Sequence, residues 1–190
     1  MTLTERVQSA RLRREHFEFN GTWESMEEYY VTLIQEFAPS SEHLPTLRRL
    51  SWDCNYVVEL GTQHGNSAFS MLMASPCEMQ CVDVRPCKYI DHLLQLTACT
   101  GTEFEFVQAD SRGSDGIMVD IDLLFVDSDH TYDHCKAELQ AHKAQCRRYV
   151  VFHDTVSFPG ILPAIEEELT DFDLVENYTN GHGLQVWERR

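Results

Sequence analysis

From Asn55 onward, short continuous apolar runs alternate with helical stretches, and this alternation constrains the fold more than any other feature of the sequence. Apolar runs fall at Tyr56–Leu60, Met79–Val84, Phe104–Gln108, Leu123–Val126 and Tyr149–Phe152. Helical stretches fit between them at Ser67–Ala74, Tyr89–Cys99 and His134–Gln145. Strands that are apolar throughout must be covered on both faces, and strand–helix–strand crossovers make neighbouring strands parallel. A further helix is predicted near Ile161–Leu169. The last two runs, Phe172–Tyr178 and Leu184–Glu188, are joined by Thr-Asn-Gly-His-Gly, in which Asn180-Gly181 signals a hairpin. The expected fold is α/β: a Rossmann-like, mostly parallel sheet of seven strands, five parallel plus a hairpin, with a reversed last strand and helices on both faces.

The chain divides near residue 52, into a helical segment over 1–51 and a sheet domain over 52–190. Residues 4–18 read as a charged helix. Ser25 with Glu28 three places on forms a capping box that opens a helix over 25–38, closed by Pro39, and a third helix is predicted over His43–Leu50. Phe17, Phe19, Trp23, Tyr29 and Tyr30 make this segment rich in aromatics around Asn20-Gly21. It serves either as a lid over an acceptor or, the favoured reading, as packing onto the sheet or between subunits of a homo-oligomer.

Acids outnumber bases 31 to 15, giving a formal charge of −16. That balance excludes nucleic acid and anionic membrane surfaces as main partners, since both need a basic footprint. No apolar run approaches a membrane span, and the amino terminus lacks the apolar core of a signal peptide. Seven cysteines with no CxxC spacing read as free, mostly buried thiols in a reducing compartment, so the expected location is the cytoplasm.

Ligands of such sheets bind beyond the carboxyl ends of the strands. The first strand runs into Gly61, followed by Thr-Gln-His-Gly-Asn-Ser. Gly61 and Gly65 permit a tight strand-to-helix turn, and the helix that follows, with Ser67, can hold a carboxylate at its amides. The dinucleotide pattern G-x-G-x-x-G is absent, because Gln63 stands where its second glycine clears space for a pyrophosphate. Asp83 ends the second strand at the spacing at which an acid takes ribose hydroxyls, and Asp110 follows the third strand, where it can accept from an exocyclic amine. Together these point to S-adenosylmethionine. The structural alternative is that Asp83 and Asp110 only cap the helices that follow.

The segment VVELGTQHGNSAFSML resembles motif I of class I S-adenosylmethionine-dependent methyltransferases, and the terminal hairpin resembles their reversed seventh strand. The resemblance covers about 52–190 and adds Glu59 to the cofactor-binding residues. LLFVDSDHTYD and VVFHDT narrow it to the metal-dependent small-molecule O-methyltransferases, of the catechol type and the macrolide and cephalosporin-tailoring group.

Asp127 ends the fourth strand and His153-Asp154 end the fifth. Neighbouring strands lie about 5 Å apart, so these groups can converge on one ion. The resemblance implies that these three are the metal ligands, although its members usually carry Asp with Asn, Asp or Glu at the last two. Magnesium is the expected ion, and the imidazole widens the choice towards manganese, iron or zinc. The structural alternative makes Asp127 a loop cap, His153 a satisfied histidine and Asp154-Thr155 a turn. His130 is the expected general base, three places after Asp127, where catechol-type enzymes carry a lysine. Asp129 is the competing base or a fourth ligand. The expected function is divalent-metal-assisted O-methyl transfer to a small hydroxylated molecule. The alternatives are a nicotinamide-dependent oxidoreductase and a non-catalytic cofactor-binding subunit.

Overall fold

A computed structural model describes residues 17–35, 41–113, 116–117 and 119–190. The predicted helix over 4–18 lies outside these residues up to position 16, as does Pro39, while 17–20 have no regular structure. The seven predicted strands are all present: β1 Tyr56–Leu60, β2 Glu78–Asp83, β3 Glu103–Gln108, β4 Ile121–Val126, β5 Cys146–His153, β6 Phe172–Tyr178 and β7 Leu184–Arg189. They form one sheet in the order β3-β2-β1-β4-β5-β7-β6. Strands β1 to β5 pair in parallel, and β7 runs antiparallel to both β5 and β6. The hairpin is thus inserted edge-first: β7 alone is reversed, and β6 points the same way as the parallel strands.

The helices are α1 Trp23–Gln35, α2 Leu44–Ser51, α3 Asn66–Leu72, α4 Ile90–Thr100, α5 Tyr132–His142 and α6 Leu162–Glu168. Alternate residues of β1 serve opposite faces, as the pleat requires. Val57 joins a core with α1 to α4, and Val58 and Leu60 join a second core with α5 and α6. Helix α1 contributes Met26, Tyr29, Tyr30 and Leu33 to the first core, and α2 contributes Leu44, Leu47 and Leu50. Phe17 and Phe19 pack on Tyr29 at ring-centroid distances of 5.2 and 5.0 Å, and Phe19 also reaches Phe69 of α3. The aromatic segment is therefore packing material, apart from the exposed Trp23. The change at residue 52 is one of secondary structure; the two segments share a core.

The expected capping box is not formed. Helix α1 starts two residues earlier, and Thr22 is its cap, accepting the Ser25 N–H at 3.3 Å. Ser25 is buried and accepts the Asn20 N–H at 3.3 Å, while Thr22 donates to Asn20 Oδ1 at 2.7 Å. Glu28 is exposed. Burial of Ser25 against the core draws its side chain away from the helix start and leaves the cap to Thr22.

Candidate active site

The strand order reverses between β1 and β4, and ligands of such sheets bind at this crevice. Gly61, with φ +91°, follows β1, and Asp127 follows β4. A Cβ on Gly61 would lie 2.2 Å from the Asp127 carbonyl oxygen. The glycine loop and the loop of the first candidate metal acid are therefore in backbone contact. Gly65, at φ +78°, caps α3.

Two of the residues expected on the cofactor turn inward. Glu59 is fully buried, accepts the Ser67 hydroxyl and receives the Cys81 thiol at 3.2 Å. Burial raises its pKa to about 7, against the hydrogen bonds that favour its charged form. The Ser67 hydroxyl, expected to help hold a ligand carboxylate, thus fastens α3 to β1. Asp83 stands beside the glycine loop. Its Oδ2 accepts the Thr62 and Gln63 N–H groups at 2.9 and 2.8 Å, and its Oδ1 accepts Arg85 N–H at 2.9 Å. A carboxylate has about four acceptor positions, so one remains for a ribose hydroxyl. Asp110 is exposed and paired with Arg112 at 2.5 Å, which holds its carboxyl well below the usual range.

Asp127, His153 and Asp154 do converge. One donor atom from each lies within 4.8 Å of the others, a grouping formed by these three alone among the described residues. His153 Nδ1 lies 3.3 Å from Asp127 Oδ1 and 3.6 Å from Asp154 Oδ1. Asp154 takes a left-handed φ of +63°, a strained conformation for a residue with a side chain. The insertion of β7 beside β5 brings the hairpin tip over this cluster, since His153 pairs with Leu184. His153 Nε2 donates to the Gly181 carbonyl at 3.1 Å, and His43, from the turn before α2, reaches Asn180 and Gly181 carbonyls at 3.0 and 3.1 Å. His182 Nδ1 stands 3.7 Å from Asp154. Sequence reasoning missed His43, which lies 110 residues before its neighbour His153 and carries no motif.

His130 reaches the same acids: its Nε2 lies 3.0 Å from Asp154 Oδ2 and 3.4 Å from Asp127 Oδ1. Phe158 stacks on its ring at 4.5 Å. Asp127 first, then Asp154, raises its pKa to about 9. His153 is raised to about 10, because the two carboxylates outweigh a burial that opposes the charged ring. Burial pushes Asp154 up, but His130 and His153 outweigh it and hold the carboxyl well below its ordinary value. Asp129 does not join the cluster. Its carboxylate is exposed and accepts the Thr131 N–H at 3.0 Å just before α5, so the grouping does not include it as the fourth ligand that the sequence allowed.

The donor set suits a divalent cation. His153 is 3% exposed, and its Nδ1 has no hydrogen-bond partner although it faces two carboxylates. Ligand atoms about 2.1 Å from one ion sit about 3.0–3.5 Å apart in octahedral or tetrahedral arrangements. The 3.3 Å spacing of Nδ1 from Asp127 falls in that range, and the 3.6 Å spacing from Asp154 lies just above it.

A family model described as a methyltransferase domain matches residues 58–155, from β1 to just past β5. The chain belongs to this methyltransferase family. No curated protein matches the sequence. Among solved structures, a TDP-rhamnose 3′-O-methyltransferase of calicheamicin biosynthesis is similar at 17% identity and a TM-score of 0.66, over 98% of this chain and 93% of that one. An O-methyltransferase from Bacillus cereus, in complex with S-adenosylhomocysteine, has 9% identity and a TM-score of 0.62 over the whole of both chains. The O-methyltransferase TomG from Streptomyces achromogenes, in complex with S-adenosylmethionine, has 14% identity and a TM-score of 0.59, over 100% of this chain and 99% of that one. Membership of the methyltransferase family sets aside the nicotinamide-dependent alternative. Among the described residues of this methyltransferase, no helix is long and apolar enough to cross a membrane.

Proposed function

We propose that this methyltransferase moves the methyl group of S-adenosylmethionine to an oxygen of a small hydroxylated molecule, with a divalent cation held by Asp127, His153 and Asp154. The observation that carries the reading is the backbone contact between Gly61 and Asp127, which brings the glycine loop beside the converging donors of Asp127, His153 and Asp154.

The glycine loop over 61–65 receives the methyl donor, with its shape fixed by the Thr62 and Gln63 N–H bonds to Asp83. Asp83 retains one acceptor position for the ribose, and Asp110 can turn from Arg112 to an exocyclic amine. Glu59 and Ser67 act from behind, keeping α3 in register with β1. When bound, the cation lowers the pKa of the acceptor hydroxyl and fixes its orientation. His130 takes the acceptor's proton at Nε2. Its high pKa comes from the charges of Asp127 and Asp154, so neutralising those charges returns it towards the ordinary imidazole range, where it works as a base. Phe158, stacked on His130 and half exposed, screens one side of that ring from water.

The test is transfer of labelled methyl from S-adenosylmethionine to a panel of phenols, catechols and glycosides, with and without chelator. Chelator abolishes transfer, and His130→Gln lowers turnover about a hundredfold or more while S-adenosylhomocysteine affinity, read by calorimetry, is kept. Full activity in chelator removes the cation from the reading, and unchanged turnover in the variant removes His130 as the base.

A further inference from the structure

The nitrogen donor in this cluster is built more firmly than a surface histidine at a strand end would be. His153 Nε2 donates to the Gly181 carbonyl, an acceptor only, so Nε2 carries a hydrogen and Nδ1 is the ring nitrogen turned to the acid cluster, its lone pair open to a cation that takes the place of the proton there. The same carbonyl accepts from His43 Nε2, and the buried His43 ring stands edge-on to His153 at 5.5 Å. A Cβ on Gly181 would come within 2.9 Å of His43 Nε2, so the glycine allows the close approach of the hairpin tip. An outer hydrogen bond from the far nitrogen of an imidazole fixes its tautomer and ring orientation as a ligand. Here that bond is in place, and the near nitrogen, deep in the protein, has no hydrogen-bond partner.

We propose that His153 ligates the cation through Nδ1, and that this imidazole makes the centre selective for a borderline transition ion, of the class of manganese, iron(II), cobalt or zinc, over magnesium. The proposal rests on the reading that Asp127, His153 and Asp154 hold a divalent cation. Magnesium takes oxygen donors and gives up its waters reluctantly, so one nitrogen among three protein ligands costs it an oxygen contact. Later first-row ions gain from the same nitrogen.

The full chain, freed of metal, is titrated by calorimetry with cobalt(II) and separately with magnesium. Cobalt binds about a hundredfold or more tighter than magnesium, and His153→Asn cuts that ratio about tenfold or more by weakening cobalt alone. Pulsed electron paramagnetic resonance of the unmutated protein loaded with manganese gives a second readout that does not depend on how the variant folds. It shows the nitrogen coupling of a directly bound imidazole. An unaltered ratio in a folded variant, or no nitrogen coupling in the unmutated protein, overturns the proposal and takes His153 out of the ligand set, while cation-assisted methyl transfer stands on Asp127 and Asp154. Failure of every divalent ion to bind overturns both.

Discussion

Gly61 shows how one residue can hold two loops together. Its left-handed φ excludes most side chains, and even an alanine methyl would run into the Asp127 carbonyl. Gly61→Ala should therefore cost at least about 2 kcal/mol of stability and displace Asp127, weakening cation binding. Gly101→Ala is the control, because Gly101 has a similar φ of +74° with nothing within 4 Å, and it should cost only about 1 kcal/mol. Denaturant melts and cation titrations of both variants check the difference. Glu59 makes a pH prediction. Its folded pKa of about 7 lies above its ordinary value, so folding favours the neutral acid. Its stabilising contribution is full below the unfolded pKa and is lost as pH rises towards 7. In chelator, the unmutated protein should lose roughly 3 kcal/mol relative to Glu59→Gln between pH 4 and pH 8. Parallel stability curves for the two proteins across that range would show that Glu59 does not titrate there.

Helix α5 ties two strand ends together from the opposite face. Its Glu138 is fully buried, and Oε1 accepts the Ser111 and Ser128 hydroxyls, each at 2.5 Å, with His134 at 3.3 Å. Ser111 follows Asp110 after β3, and Ser128 follows Asp127 after β4. The same helix carries His142, whose Nε2 donates to the Ser111 carbonyl at 2.6 Å. Glu138→Ala removes the carboxylate that accepts from the buried Ser111 and half-buried Ser128 hydroxyls and should cost about 2–4 kcal/mol. Since one of those hydroxyls neighbours Asp127, cation affinity should fall as well, whereas Ser111→Ala should leave it unchanged. Thermal melts and calorimetry on the two variants separate the effects. None of this was legible in the sequence: Glu138 lies in an ordinary helical pattern, and only the packing of α5 under both loops turns its charge inward.

Across the whole molecule, the helical segment before residue 52 is part of the body that holds the site. Seven large apolar side chains of α1 and α2 enter the first core, at about 1.5–3 kcal/mol each. Their sum, roughly 10–21 kcal/mol, is as large as the usual 5–15 kcal/mol of net stability of a domain. A fragment covering 52–190 should therefore not fold cooperatively by itself. Circular dichroism of the fragment, compared with the full chain, checks this; a sharp thermal transition in the fragment would show two independent domains. The same segment carries Glu42 and His43, which hold the hairpin tip through Asn180 and Gly181.

While the order of the strands in the sheet came with the tertiary structure, the sequence by itself determined the number and position of the strands, their mostly parallel direction, the reversed hairpin, and the loops that bear Gly61, Asp127 and His153. These follow from local causes: continuous apolar runs require a covered parallel sheet, and Asn-Gly requires a turn. Tertiary structure decided where individual polar groups point. It sent the Ser67 hydroxyl to Glu59, Asp129 to the Thr131 N–H and His130 to the acids, and it placed His43 behind His153. Such choices depend on which neighbour a side chain meets across the sheet, and spacing along the chain carries no record of a partner more than a hundred residues away.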